Sequence, residues 1–112
     1  MSNVYKNAFY DPTTTVNTTV YTCNATARAI IQNIQIANYS GNNTIQVLIY
    51  SSTLATTVII SYASIVGPTY CNLATGPIVL QENDAILISC TNNNTVSGTL
   101  SIMEVNRSAV SK

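Results

Sequence analysis

The residues that could do chemistry are few in this sequence, and their types argue against catalysis. The chain of 112 residues has no histidine, which removes the commonest general base and the usual partner of serine and cysteine nucleophiles. The four carboxylates, Asp11, Glu82, Asp84 and Glu104, form no motif that would hold two of them across a glycosidic bond. We therefore expect no catalytic site and no enzyme activity.

The remaining reactive side chains point to structure rather than to a bound metal. Glu82 and Asp84 are close enough in sequence to bind Ca²⁺ together with backbone oxygens, but such sites usually contain more carboxylates. We interpret the pair as part of a solvated turn. Cys23, Cys71 and Cys90 leave one thiol unpaired in any disulfide scheme, and their wide spacing fits neither a redox pair nor a zinc site. We interpret them as reduced thiols of the core and predict no cofactor and no metal.

Aromatic residues near the start of the chain are the candidate interface. Tyr5, Phe9 and Tyr10 combine apolar area with polar tips, as interface residues often do. Residues 1–12 could form an extended N-terminal arm that pairs with the sheet edge of a neighbour. Packing of the same aromatic residues beneath the chain's own sheets is the alternative.

Charge is scarce, since charged residues make up 7% of the chain and the net charge is zero. Charged residues make up roughly a quarter of an ordinary soluble domain. Such a neutral surface is easiest to understand if neighbouring subunits cover much of it, although a neutral monomer rich in threonine is the alternative. The scattered Lys6, Arg28, Arg107 and Lys112 form no basic stripe, so we expect no nucleic-acid partner. No apolar segment approaches the length of a membrane span or of a signal peptide, so we expect no membrane partner and synthesis in the cytoplasm.

The elements that must position these residues are β-strands. Hydrophobic residues make up 46% of the chain, many of them β-branched, and they alternate with polar residues between frequent turns. This pattern predicts one all-β domain over residues 1–112. We expect an antiparallel β-sandwich, jelly-roll-like or immunoglobulin-like, with closure into a barrel as the alternative. Little or no helix is expected.

The alternation also predicts individual strands and their inner faces. Residues 28–38 and 44–51 are predicted to pair as a hairpin, and residues 69–73 to form a short edge strand. Gly98 is expected to mark a bulge or a close approach of two backbones. The predicted inward residues are Ile30, Ile34 and Ile36; Ile45, Val47 and Ile49; Val58 and Ile60; Ile86, Ile88 and Cys90; and Val96, Leu100 and Ile102.

Several segments together resemble small virion structural proteins of tailed bacteriophages, a group of β-sandwich proteins encoded among head and tail genes. The resemblance covers most of the chain. In similar proteins a Gly-Asp pair often occupies the late turn, whereas this chain has Asn83, which also tolerates a left-handed conformation. The segments that carry the resemblance are Val4–Ala8, Val20–Cys23 with Arg28–Ile31, Ile36–Asn38, Val79–Asp84 and Ser101–Val105.

The resemblance implies a part that is repeated many times on a phage particle and made in the bacterial host. We favour a decoration or cement protein that binds the major capsid protein, assembled as a homo-oligomer and in particular a trimer. A neck or tail component, bound to other neck or tail proteins, is the alternative. A carbohydrate-binding module, in which tyrosine rings stack on sugars, also stays open.

Overall fold

A computed structural model describes residues 2–74 and 76–106, and this part of the chain is organised as nine β-strands. The charged residues Arg107 and Lys112 and the predicted ends of the domain lie outside it, so the single domain over residues 1–112 stays a prediction. The strands are β1 (Ser2–Tyr10), β2 (Thr18–Thr22), β3 (Ala27–Asn38), β4 (Asn42–Ser51), β5 (Thr56–Val66), β6 (Thr69–Asn72), β7 (Ile78–Leu80), β8 (Ala85–Cys90) and β9 (Val96–Asn106).

The strands form two antiparallel sheets that pack face to face as a β-sandwich. Sheet A has the order β1-β9-β3-β6, with β7 also paired to β3, and sheet B has the order β2-β8-β4-β5. Successive strands mostly alternate between the two sheets, as they do in the double Greek key of a jelly roll. The sheets are not closed into a barrel, and this excludes the alternative fold.

The core lies between the sheets and consists mainly of β-branched residues on alternate positions. Burial confirms the predicted inward faces of β8 and β9, and Ile45 and Val47 of β4 are fully buried. Because the side-chain period of a strand is two, a one-residue error would have exposed each of these sets. Strand alternation thus determines most of this core.

The predicted hairpin of β3 and β4 is wrong. β3 pairs with β6, β7 and β9 in sheet A, whereas β4 pairs with β5 and β8 in sheet B. The short connection between them therefore crosses from one sheet to the other. The buried Asn38 stabilises this crossing, since its Nδ2 donates to the carbonyl oxygens of Gly41, at 2.9 Å, and Ile65, at 3.2 Å.

A bulge in β3 and the position of β5 at the edge of sheet B each change part of the predicted core. In β3 the register shifts between Ile31 and Asn33, so Ile31 is fully buried and Ile30, predicted to point inward, is only half-buried. In β5 Ile60 is the extra residue, because Ser61 pairs with Val47 and Ile59 with Leu48. Val58 and Ile60, which were expected in the core, are exposed at the edge of sheet B.

Two predictions about single residues are confirmed. A side chain at Gly98 would meet the carbonyl oxygen of Gln35 at 2.8 Å, so β3 and β9 approach closely there. Asn83 has a φ of 69°, the left-handed conformation expected for this turn.

The described residues contain no helix of the length and apolarity that a membrane span requires.

Candidate assembly surfaces

The alternation of β1 separates the predicted interface residues. Tyr10 is 1% exposed and belongs to the core, whereas Tyr5 and Phe9 are 74% and 70% exposed on the outer face of sheet A. Tyr10 therefore packs beneath the chain's own sheets, which was the alternative to a role at an interface. β1 pairs with β9 along its whole length, so residues 2–10 form an edge strand of sheet A.

Tyr5 begins an apolar row that crosses the outer face of sheet A. The strand register places it beside Met103, which lies beside Ile30, which in turn lies beside Val79 of β7. Tyr5 and Val79 are exposed, and Met103 and Ile30 are half-buried. This row, here called the Tyr5 row, is the longest apolar feature of the face.

The rest of the outer face of sheet A is polar but almost uncharged. Phe9 lies beside Thr99, which lies beside Gln35, and these three residues are here called the Phe9 row. A shallow groove between the Tyr5 and Phe9 rows is lined by Tyr5, Lys6, Asn7, Gln32, Ser101 and Ile102. A partner of this face would meet aromatic rings and amide groups with little ionic attraction or repulsion.

Tyrosines also mark the opposite side of this face. Tyr70, on the edge strand β6, is exposed, and so is Tyr39, whose hydroxyl shares a hydrogen bond with that of Ser97. Ser97 and Ala37 lie in register with Tyr70 across the sheet. Aromatic residues thus lie on both sides of the uncharged middle of this face.

The carboxylates act as clamps within the fold. Asp84 is buried, which corrects the prediction of a solvated turn at this residue. Its Oδ1 accepts hydrogen bonds from the backbone N–H of Ser52, at 2.9 Å, and from the Ser52 hydroxyl, and its Oδ2 accepts from the N–H of Gln81, at 3.0 Å. Glu82 lies 3.5 Å from Arg28. These carboxylates thus join the β7–β8 turn to β3 and to the end of β4.

Glu104 forms a second clamp between the sheets. Its Oε1 lies 3.4 Å from the Lys6 ammonium group, and its Oε2 accepts a hydrogen bond from the Tyr21 hydroxyl. Burial first, and this hydrogen bond second, raise the pKa of Tyr21 above its ordinary value. Tyr21 therefore stays protonated as a donor. Within residues 2–74 and 76–106, no three cysteine or acidic residues lie close enough together to hold a metal ion.

The three cysteines have free thiols, as predicted. Cys23 and Cys90 are buried and Cys71 is half-buried. Burial raises the pKa of Cys23 and of Cys71, so both thiols are protonated at neutral pH and react slowly. Their environment is that of small core residues.

A second exposed surface, the free edge of β5, was not predicted from the sequence. Val58, Ile59, Ile60, Tyr62 and Val66 are all exposed there. The signal was present, because Val58, Ile59 and Ile60 form a continuous apolar run that breaks the alternation of a half-buried strand.

Comparison with solved structures supports the fold. The chain is similar to a chain of the T13 IBDV viral particle, with a TM-score of 0.56, 9% identity and 94% of this chain covered. It spans about a third, 31%, of the length of that protein. At this identity the likeness concerns the fold alone.

The chain is also similar to a subunit of Bacillus endospore appendages, described as disulfide-linked pili. The TM-score is 0.51 with 10% identity, covering 96% of this chain and 87% of the other. At these identities the likeness concerns the fold. No family model and no curated protein matches the chain in sequence.

Proposed function

We propose that this chain is a non-enzymatic structural protein of a virion, and specifically a decoration protein that binds the outside of a capsid through the outer face of sheet A. The observation that carries the proposal is the exposure of Tyr5 and Phe9 on an edge strand of that face. Aromatic residues, tyrosine in particular, are frequent among the few residues that carry most of the binding energy of an interface.

The low charge of the chain supports the same function. A face built from tyrosine, asparagine, glutamine, serine and threonine can be covered without removing ion pairs from water, which is the costly step in burying a charged surface. The two similar structures come from a viral particle and from spore appendages described as pili, and a structural role in an assembly is consistent with this likeness. A neck or tail component would use the same face against a different partner.

The groove between the Tyr5 and Phe9 rows favours glycan binding as a second candidate. Asn7, Gln32 and Ser101 offer amide and hydroxyl groups that hydrogen-bond to sugar hydroxyls, beside a ring on which a sugar can stack. A glycan site would bind a soluble oligosaccharide without any capsid.

The test mixes the purified protein with capsid shells that lack it and measures co-sedimentation. We expect saturable binding by the parent and a loss of about tenfold or more in affinity for the Tyr5→Ser/Phe9→Ser variant, because two aromatic contacts are removed. Tyr50→Ser, at an exposed tyrosine of β4 on the other sheet, is the control and is expected to bind like the parent. Absence of shell binding by the parent would contradict the decoration function, and saturable binding to soluble glycans would favour the second candidate.

A further inference from the structure

The edge of sheet B at β5 lacks the features that normally prevent edge-to-edge association. In the described part of the chain, β5 pairs with β4 on one side and ends the sheet on the other. An exposed edge presents unpaired N–H and C=O groups, and proteins usually protect such edges with charges, prolines or very short strands. The eleven residues of β5 include no charged residue and no proline.

The other edges of the two sheets are protected. β1 carries Lys6 near its middle, β2 has five residues and a bulge, and β6 and β7 have four and three residues. Among the described edge strands, β5 therefore combines length, neutrality and apolar character.

β5 is apolar on both of its faces, as an edge that accepts another strand would be. Ile59 and Tyr62, 56% and 67% exposed, lie on the outer face, because their partners in β4 are Leu48 and Gln46. On the inner side, Ile60 lines an apolar cleft between the edges of the two sheets together with Ile49, Leu73, Pro77 and Ile78. A strand added at β5 would cover both faces.

We infer that this edge binds the β5 strand of a second copy of the chain, antiparallel and across a two-fold axis. Two copies of an uncharged strand meet without like-charge repulsion, and strands of identical length pair along their whole edge. The resulting sheet would contain eight strands, four from each copy. A closed two-fold contact also uses the same patch on both copies, which leaves no free β5 edge for further growth.

Because of the bulge at Ile60, residues that lie opposite each other in this pairing point to the same face of the sheet. Placing Ile59 of one copy opposite Tyr62 of the other sets outer residues beside outer residues, and Val58 then lies opposite Ala63 on the inner side. A branched aliphatic residue beside an aromatic ring is a favourable cross-strand pair. The two-fold axis then passes near Ile60 and Ser61.

This contact is separate from the capsid face, since it lies on the other sheet and needs no shell. A two-fold contact gives a dimer in place of the trimer that the resemblance implies. One pair of edge strands is a small interface, so we expect a dimer that dissociates on dilution.

The test is sedimentation equilibrium of the purified chain over a concentration series. We expect the parent to pass from monomer to dimer, and the Ile59→Lys/Tyr62→Lys variant to dimerise at least about tenfold more weakly. The control variant Tyr5→Lys/Phe9→Lys adds the same charge at the β1 edge and is expected to dimerise like the parent. A parent that stays monomeric, or a β5 variant that associates as the parent does, would overturn the inference.

A cysteine variant tests the two-fold axis directly, and its result does not depend on whether the lysine variant folds. Ser61→Cys is expected to form a covalent dimer under mild oxidation, because the two sulfur atoms would meet near the axis. Thr18→Cys, on the β2 edge and on the same face of sheet B as Ser61, is expected to stay monomeric. If Ser61→Cys cross-links only when mixed with Thr18→Cys, β5 binds the β2 edge of the next copy and the two-fold contact is wrong.

Discussion

The two ends of the sandwich are stabilised by different chemistry. At one end, here called the amide end, the buried side chains of Asn38 and Asn43 connect the β3–β4 crossing to Ile65 and to the β8–β9 turn. At the other, here called the acid end, Glu82, Asp84 and Glu104 connect the β7–β8 turn, β3 and the sheet edges through hydrogen bonds and ion pairs. Both ends satisfy buried polar groups, but only the acid end does so with charge.

This difference shows how a chain with so few charges fixes its loops. An amide supplies both donors and acceptors, so one asparagine can replace a pair of ions. Apart from the exposed Asp11, the charged residues of the described chain all take part in clamps of the acid end. A partner that covered the amide end would have no ion pair to desolvate.

Removal of Asn43 should give the largest loss. Its Oδ1 accepts hydrogen bonds from the N–H groups of Thr91 and Asn92, at 3.0 and 3.2 Å, and its Nδ2 donates to the carbonyl oxygen of Asn92 at 2.8 Å. We expect Asn43→Ala to lower the free energy of unfolding by about 3 kcal/mol, because two partly buried N–H groups and a carbonyl oxygen lose their partner. The neighbouring Asn42 is exposed, and Asn42→Ala is expected to change stability little. Equal losses in urea unfolding would show that the amide end needs no clamp.

At the acid end, Asp84→Asn keeps the shape of the side chain and removes one acceptor. In the parent, the N–H of Gln81 donates to Oδ2 of Asp84. In the variant, an NH2 group would face this N–H, and two donors cannot bond to each other. We expect a loss of about 2 kcal/mol in urea unfolding, while Asp11→Asn at an exposed position should leave stability unchanged. If Asp84→Asn matched the parent, the carboxylate would not be the clamp described above.

A strained turn near the acid end offers a gain in stability. Ala55, between β4 and β5, has a φ of 52°, in the left-handed region that disfavours a residue with a Cβ atom. We expect Ala55→Gly to raise the free energy of unfolding by about 0.5–1 kcal/mol. Ala63→Gly, within β5, should lower it. A melting temperature that falls for both variants would contradict the strain.

The last prediction concerns Tyr21. Its effect on the free energy of unfolding is the smallest at neutral pH and increases in alkali. Burial and the hydrogen bond to Glu104 raise its pKa above the ordinary value of 10.0. A folded-state pKa above the unfolded one adds stability that is complete below the unfolded pKa and is lost as pH rises toward the folded pKa. We expect stability to decline above about pH 9–10, as the thiols and tyrosines begin to titrate when unfolded. Tyr21→Phe should decline less steeply, and identical slopes would contradict the coupling.

Local sequence was enough to predict the strands, most of the core and two special backbone positions. The alternation in β8 and β9 places Ile86, Ile88, Leu100 and Ile102 in the core, because nothing interrupts the period of two along those residues. Asn83 was predictable because its left-handed conformation is a local property of the turn. Gly98 was predictable because a glycine inside an alternating strand indicates a close approach of two backbones, which here is to Gln35 of β3. On β1 the same alternation distinguishes Tyr5 and Phe9 from Tyr10.

The wrong predictions concern features that depend on pairing between strands distant in the sequence. The bulge in β3 buries Ile31 in place of Ile30, and it depends on the register with β9, some seventy residues later. A short polar turn after Asn38 suggested a hairpin, whereas buried contacts from Asn38 to Ile65 direct the chain into the other sheet. The exposure of β5 likewise follows from its position at the end of sheet B; the continuous apolar run of Val58, Ile59 and Ile60 marks the strand as unusual but does not say where it lies in the sheet.

Hydrogen–deuterium exchange of the protein, free and bound to capsid shells, tests the central claim most directly. If the outer face of sheet A binds the shell, amide groups of residues 2–10 should exchange more slowly in the bound state. Those of the β7–β8 turn at the acid end, residues 81–84, should exchange at an unchanged rate. Binding that protects the turn and leaves residues 2–10 as they are in the free protein would contradict the proposed capsid face.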